Sequence, residues 1–352
     1  MNMVPGRSGA RSDGLALTIP ARWYHDPEIW ALERAGVFGR EWLLVGHRGQ
    51  VENPGDYVAG EIAGWRLFVI RGRDGALKGF HNVCSHRAGP LVDDGAGHCD
   101  VLRCRYHRWV YDTDGNLKAT PDFGAAAGFD RADYGLKPVK VAEWRGLVFA
   151  NLDPDAGPVE QGLGALVDLV APYPIEEYRS VRQVTFDIAC NWKTYTDNFV
   201  EGYHIPGIHP GLNAAIDFKG FAVENRPKVV IMSAPQRDGS IYDGVWLWRY
   251  PNTTLSVFPG GMNTSSIVAR DRGHTRLVYN FYFADRSPAA MAAIERTIET
   301  NCQIVREDFG ICEITQGNLE AGVYDRGPLS PHQEAGVRHF HEMLQQSIGM
   351  MA

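Results

Sequence analysis

Cys84-Ser85-His86 and Cys104-Arg105-Tyr106-His107 bring two thiols and two imidazoles into two short pairs. One residue separates Cys84 from His86, and two separate Cys104 from His107. Two ligand sets use these residue types. A structural zinc site takes two Cys and two His around one ion. A mixed-ligand [2Fe-2S] cluster takes two Cys on one iron and two His on the other. Zinc fingers pair Cys with Cys and His with His along the chain, whereas here the types are interleaved. The interleaved order favours the iron–sulfur cluster, each loop giving its Cys to one iron and its His to the other. Ser85, Arg87, Ala88, Gly89 and Pro90 form a small-residue loop that lets backbone N–H groups approach cluster sulfur. Trp109 follows the second pair and is placed to shield it from solvent.

A second cluster lies in Asp197-Asn198-Phe199-Val200-Glu201-Gly202-Tyr203-His204-Ile205-Pro206-Gly207-Ile208-His209. Two His and one carboxylate form the facial triad of non-haem Fe(II) oxygenases, which leaves coordination positions open. The sequence reads as helical from Thr194 to Tyr203, with Pro206 stopping the helix and turning the chain. Such a helix end followed by a turn can aim His204 and His209 at one point. Glu201 precedes His204 by three residues, which on a helix is the same face.

The stretch from His81 to Tyr111 resembles the Rieske domain of the Rieske non-haem iron oxygenases, alpha subunit. These belong to the aromatic-ring-hydroxylating dioxygenase family. The 197–209 stretch is similar to that family's mononuclear iron motif. The resemblance implies His204 and His209 as iron ligands and Asp308 as the third, from Asp308-Phe309-Gly310-Ile311-Cys312-Glu313. The family offset places Glu313 five residues after the ligand. Asp308 lies beside apolar neighbours, where an unpartnered carboxylate is costly. The competing reading puts Asp308 on the solvated face and Glu307 inward.

The resemblance further implies that Glu201 bridges an iron His to a cluster His of a neighbouring subunit. A Glu here, where Asp is common, leans toward the alpha-only branch that resembles choline and carnitine oxygenases. Asn198 matches a family position near the iron. Asp197 lies too far upstream for the bridge and reads as a helix or solvated charge.

The implied activity is that of a terminal oxygenase. O2 and electrons from a separate NAD(P)H reductase, directly or through a ferredoxin, hydroxylate an aromatic or related small organic substrate. The alternative is oxidative O- or N-demethylation of a methoxy-aromatic or quaternary ammonium compound. The non-enzyme alternative is a Rieske electron carrier, which leaves His204, His209 and Asp308 unexplained. Gly162-Leu163-Gly164 lacks the third glycine and the context of a dinucleotide site, so reducing equivalents come from outside. In the family a head-to-tail ring brings cluster and iron together, implying a homotrimer.

The chain has 352 residues, which suits about two domains. A net charge of -7 argues against a nucleic-acid or anionic-membrane partner. No apolar run approaches the ~18 residues of a span. Cys99, Cys190, Cys302 and Cys312 read as reduced thiols, and the chain as cytoplasmic.

The expected class is α+β: an all-β Rieske domain plus a helix-grip catalytic domain, an antiparallel sheet wrapped on a long helix. Residues 1–40 are expected as a tail and helix packed on the catalytic domain, 41–155 as the Rieske domain, and 156–352 as the mononuclear iron domain. Met1 to Asp13 reads as a disordered or swapped tail. An amphipathic helix is expected over 27–38. Short strands follow from Trp42 to Leu152, with Asp74-Gly75 as a hairpin turn. Asp153 to Pro158 reads as the linker. Strands are expected at about 181–190, 228–234, 241–249, 253–258, 264–270 and 275–283, and a helix from Ala289 to Asn318. Trp246, Trp248 and Tyr250 share one strand face and suit an aromatic ring, a quaternary ammonium, or sheet packing. Phe218, Phe221 and Phe258 are further pocket candidates. Arg226, Lys219 and Lys228 are candidates for a substrate carboxylate, or solvated charges.

Overall fold

Alternating apolar residues and tight turns build the first half of the chain. The computed structural model describes residues 14–235 and 245–350; the expected tail, Met1 to Asp13, lies outside them. After helix α1 (Pro27–Glu33) come β1 (Leu43–His47), β2 (Asp56–Ile62), β3 (Trp65–Arg71), β4 (Leu77–His81), β5 (Gly95–His98), β6 (Leu102–Arg103), β7 (Val110–Tyr111), β8 (Leu117–Ala119), β9 (Pro138–Trp144) and β10 (Leu147–Asn151). Seven of these form one antiparallel sheet in the order β1-β10-β9-β4-β3-β2-β5, and β6-β7-β8 form a small second one. The Asp74-Gly75 turn closes as expected: Gly75 sits at φ 80°, a conformation open to glycine, and Gly72 N–H bonds Ala76 O at 2.8 Å.

The expected 27–38 helix is α-helical only to Glu33. Arg34–Phe38 widens into a π turn, so the single amphipathic helix is corrected to two segments. Asp26 caps its start by accepting from Glu28 N–H, with Pro27 in the first turn.

The second half opens with α2 (Val159–Leu163) and α3 (Leu166–Leu169), then β11 (Arg179–Ile188), α4 (Trp192–Phe199), α5 (Ile205–Ile208) and α6 (Pro210–Ala215). Next are β12 (Ala222–Arg226), β13 (Val229–Ser233), β14 (Val245–Arg249), β15 (Thr253–Phe258), β16 (Gly261–Ala269) and β17 (Thr275–Phe283). The chain closes with α7 (Pro288–Glu320) and α8 (Ala335–Ile348). Strands β11-β17-β16-β15-β14-β13-β12 form one antiparallel sheet. Ile294, Ile298 and Cys302 of α7 pack on Phe281 and Phe283, so the long helix lies across this sheet. The α+β architecture and helix-grip arrangement are as expected. The short, polar β12 and helix α8 were not anticipated. Residues 241–244 of the expected 241–249 strand lie outside the described residues.

Helix α8 buries Val337, Phe340, Leu344 and Ile348, a stripe at helical spacing. Phe340 meets Trp192 of α4 edge-on at 5.5 Å and Trp248 of β14 at 5.3 Å. It thereby fixes the helix that leads into the His204 loop. Below it, Glu33 and Lys193 form a buried ion pair at 2.6 Å, and Trp192 Nε1–H donates to Glu33 at 2.9 Å.

His47 joins the two large sheets. Its ring lies 5.0 Å from that of Tyr282, and Nδ1 accepts from Gly49 N–H at 3.0 Å. Burial, helped by Arg48 and Arg179, pushes its pKa down to about 4. The fold therefore prefers the neutral ring. The unfolded chain binds the extra proton between about pH 6.5 and pH 4, so stability is full above that window and falls as pH drops through it. Thermal melts from pH 7 to pH 4 should show a steeper loss of Tm for the wild type than for His47→Gln. Parallel curves would contradict this role.

Candidate functional site

Two loops built on one backbone pattern carry the first constellation. Cys84 N–H donates to Gly89 O at 2.8 Å and Ala88 N–H to Cys84 O at 3.0 Å. In the second loop Cys104 N–H donates to Trp109 O at 2.9 Å and Arg108 N–H to Cys104 O at 3.0 Å. Ala88 and Arg108 take matching left-handed conformations, φ 57° and 61°. The loops thus coincide residue for residue, and the sequence asymmetry is one of imidazole offset on a common frame.

The loops face each other. The His86 and His107 rings lie 4.6 Å apart, and a Cβ on Gly89 would come within 2.7 Å of Cys104 Sγ. Cys84 and Cys104 are buried. Nδ1 of both histidines is buried without a hydrogen-bond partner among the described residues, as expected of nitrogen reserved for a metal. Trp109, expected to shield the second pair, is buried and stacks instead on His86 of the first, at 4.6 Å and 9°. Ser85 N–H donates to the Tyr111 hydroxyl at 3.1 Å, which leaves that hydroxyl's proton for Cys84 Sγ at 3.2 Å. A donor to ligand sulfur raises a cluster's potential by stabilising its reduced form. Burial pushes the Cys84 thiol up, and Cys104 beside it adds to the shift. Cys99 faces the same core but stands apart from the loops, with its thiol pushed up to about 11 by burial.

The second constellation gathers residues distant in sequence. His204 Nε2 and His209 Nε2 are 3.1 Å apart, and Asp308 Oδ1 lies 2.9 Å from the latter and 3.6 Å from the former. The structure brings His204, His209 and Asp308 within reach of one metal ion. Their other atoms are committed. His204 Nδ1 meets Glu201 Oε1 at 2.6 Å and His209 Nδ1 meets Glu307 Oε2 at 2.8 Å. With both Nδ1 protons held by carboxylates, both Nε2 lone pairs and a carboxylate oxygen converge on one point. Asp308 Oδ1 is buried and has no hydrogen-bond partner among the described residues. A cation resolves that convergence, so the donor set fits a metal. Burial alone would lower the His209 pKa, but Asp308 and Glu307 outweigh it and hold it above the ordinary value.

Several local expectations change. Helix α4 ends at Phe199, so Glu201 and His204 meet through a turn and not along a helix face. Glu201 Oε2 accepts from Tyr203 N–H, a bond that rewards the turn over another helical residue. Pro206 sits in the first turn of α5, so it starts a helical turn and does not terminate one. Asp197 is neither a solvated nor a simple helix charge. It accepts from the Tyr24 hydroxyl at 2.5 Å and pairs with His341 Nε2 at 2.9 Å. Glu313 stands away from the triad and accepts from Ala189 N–H at 3.0 Å. Glu307 turns inward to orient His209 instead of replacing Asp308. An inward Glu307 was the competing reading, but the structure turns both Glu307 and Asp308 toward His209, because only the facing of α7 against the His209 loop separates these neighbours.

A cavity of about 130 Å³ opens beside the triad, and Asn198 and Glu201 line it. Register explains its floor: Met232 pairs with Trp246, Trp246 with Ser256, and Ser256 with Asn263, one straight row across β13 to β16. Asn301, Ile304, Val305 and Asp308 cover it at helical spacing from α7. Phe221 and Phe258 reach the cavity as expected, whereas Phe218 stands behind, stacked on Phe221 at 5.9 Å. Trp246 and Trp248 share a face, but only Trp246 reaches the cavity. Trp248 and Tyr250 are buried core, because the next row of the sheet lies under α8. None of the three candidate cations lines the cavity. Lys228 pairs with Glu41 at 2.7 Å, Arg226 pairs with Glu224 at the surface, and Lys219 is exposed. Among the described residues that line it the only charges are carboxylates, Glu201 and Asp308, besides the two histidines.

A cluster-binding β domain joined to a triad-bearing helix-grip domain defines an oxygenase architecture, and known proteins agree. Residues 41–137 match the Rieske [2Fe-2S] domain model, and 175–241 with 221–349 match the ring hydroxylating alpha subunit (catalytic domain) model. The carnitine monooxygenase oxygenase subunit of Escherichia coli (strain K12) is 32% identical over 94% of each chain. The chloroplastic choline monooxygenase of Beta vulgaris is 30% identical over 95% of this chain and 77% of that protein. A solved structure of the quaternary ammonium Rieske monooxygenase CntA, in complex with an inhibitor, has a TM-score of 0.86 at 26% identity, covering 95% of this chain and 96% of that one. The chain belongs to the Rieske non-haem iron oxygenase alpha subunits, oxidoreductases that incorporate O2. Among the described residues no helix is long and apolar enough to cross a membrane.

Proposed function

We propose that the chain is the oxygenase component of a system that hydroxylates a small quaternary ammonium compound, with residues 41–155 holding the cluster and 156–352 the substrate. The supporting observation is the cavity beside the triad. Phe221, Trp246 and Phe258 and two carboxylates border it, and no Lys or Arg lines it among the described residues. Aromatic faces and anionic groups attract a cation whose own hydrogen-bonding capacity is nil. The volume is of the order of the cavities that admit benzene, about 150 Å³, which suits a small ligand. The carnitine and choline monooxygenase relatives carry the same indication. Cys84, His86, Cys104 and His107 are the cluster ligands in this reading, and His204, His209 and Asp308 hold a mononuclear Fe(II).

That iron supplies dioxygen activation. The protein's own residues do the rest. Glu201 and Glu307 hold the Nδ1 protons of His204 and His209 and so fix ring orientation. The aromatic walls hold the substrate cation and exclude water. One oxygen atom enters a substrate C–H bond and the other leaves as water, with two protons and two electrons consumed. The electrons come from NAD(P)H through a separate reductase, directly or through a ferredoxin. We further infer a homotrimer in which Glu201 links one subunit's iron site to its neighbour's cluster.

Reconstitution with a surrogate reductase tests this, following oxygen uptake and product mass for choline, carnitine and aromatic acids. Product from a quaternary ammonium compound supports the reading, and product from aromatic acids alone contradicts it. Glu201→Gln is expected to retain both metals but slow single-turnover product formation by about 10–100-fold. An unchanged rate would remove Glu201 from the electron path.

A further inference from the structure

The row that floors the cavity is apolar at Met232 and Trp246 and polar at Ser256 and Asn263, which face each other across β15 and β16. Asn263 is 1% exposed. A side-chain amide has two ends, and which end points where is settled by its neighbours. Asn301 Nδ2 donates to Thr297 O at 2.8 Å, a backbone carbonyl that can only accept. That leaves Asn301 Oδ1 as an acceptor, and Asn263 Nδ2 donates to it at 3.3 Å. The chain of bonds starts at a helix carbonyl and ends by committing the Asn263 amide to one orientation. Its Oδ1 is left buried with no hydrogen-bond partner among the described residues.

A buried acceptor without a donor is costly, and most such groups in folded proteins are satisfied. Here the unmet acceptor belongs to a residue that lines the substrate cavity. Asn301 and Asp308 are seven residues apart on α7, two turns or about 10 Å along the axis. The acceptor therefore lies on the Asn301 side of the cavity, about two helical turns from Asp308.

We propose that Asn263, oriented by Asn301, is a specificity residue that selects substrates carrying a hydrogen-bond donor, a hydroxyl or N–H, on the Asn301 side of the cavity, and disfavours those ending there in an ether or carboxylate. The inference deepens the quaternary ammonium reading and takes its cavity from it. A carboxylate would bring its own lone pairs against Oδ1, and no Lys or Arg among the described lining residues offsets it. A hydroxyl supplies the missing proton.

The test crosses charge with donor in four probes, using calorimetry on the metal-loaded full chain. Hydroxypropyl-trimethylammonium and its methyl ether share the cation and differ in the donor. Their tert-butyl isosteres, with carbon in place of nitrogen, repeat the comparison without charge. Carboxypropyl-trimethylammonium, a zwitterion, is the carboxylate control. The hydroxyl probe should bind about tenfold tighter than its ether in the wild type, and tighter than the carboxylate. Asn263→Leu should bring the hydroxyl-to-ether ratio to near one. Asn301→Leu, on the half-buried helix face, should do the same by freeing the Asn263 amide to turn, and it serves if the strand variant fails to fold. A wild-type ratio near one, a ratio that persists in both variants, or no binding of either hydroxyl probe overturns the proposal. Equal binding of cationic and neutral probes with the donor preference intact supports this role for Asn263 and sinks only the quaternary ammonium reading.

Discussion

Asp308→Ala is expected to lower product formation by about a thousandfold or more while leaving the visible spectrum of the cluster unchanged. The reason lies in the geometry of the triad. Among the described residues Asp308 Oδ1 is the one carboxylate oxygen that reaches both Nε2 atoms, at 2.9 and 3.6 Å. Glu307, its neighbour, is already engaged with His209 Nδ1 at 2.8 Å and points to the far side of the ring. No spare carboxylate can therefore take over without releasing His209. Iron analysis of the variant should show loss of the mononuclear metal only. Full turnover with an intact cluster would mean that the mononuclear site is misassigned.

Lys193→Ala is expected to destabilise the fold by about 3–5 kcal/mol, read as a fall in the urea midpoint with unchanged slope. Lys193 and Glu33 are both essentially unexposed and 2.6 Å apart. Burial drives the Glu33 pKa up and that of Lys193 down, and each partner partly offsets the other's shift. Removing the ammonium leaves a buried carboxylate with, among the described residues, only Trp192 Nε1–H at 2.9 Å for support. The double variant Glu33→Gln, Lys193→Met should cost less than Lys193→Ala alone, because no uncompensated charge remains. A double variant less stable than the single one would show that shape, not charge, dominates at this position. The pair ties α1 to α4, so the damage should extend to the His204 loop.

What was legible in the sequence was whatever sat in a short stretch of chain. Cys84, His86, Cys104 and His107 announce themselves because each loop contains its own Cys and His, and the loop hydrogen bonds close within five residues. His204 and His209 are legible for the same reason. Asp308 needed the family offset, since nothing local separates it from Glu307. Their division of labour is decided by α7 meeting the His209 loop. Asp197 shows the same limit: its partners Tyr24 and His341 lie at opposite ends of the chain, and no spacing rule joins them. Strands β15 and β17 were readable from their β-branched and aromatic residues and the turns that flank them. Strand β12 was not, because it is mostly exposed and polar. The split between Trp246 in the cavity and Trp248 in the core is invisible to periodicity. Both lie on one face, and only α8, packed over the second row, distinguishes them.

Two metal pockets in one polypeptide is the claim on which the rest stands. Iron and acid-labile sulfide per chain, measured on anaerobically reconstituted wild type, test it directly. About three iron and about two sulfide are expected. Less than one iron per chain, or no sulfide, would contradict it.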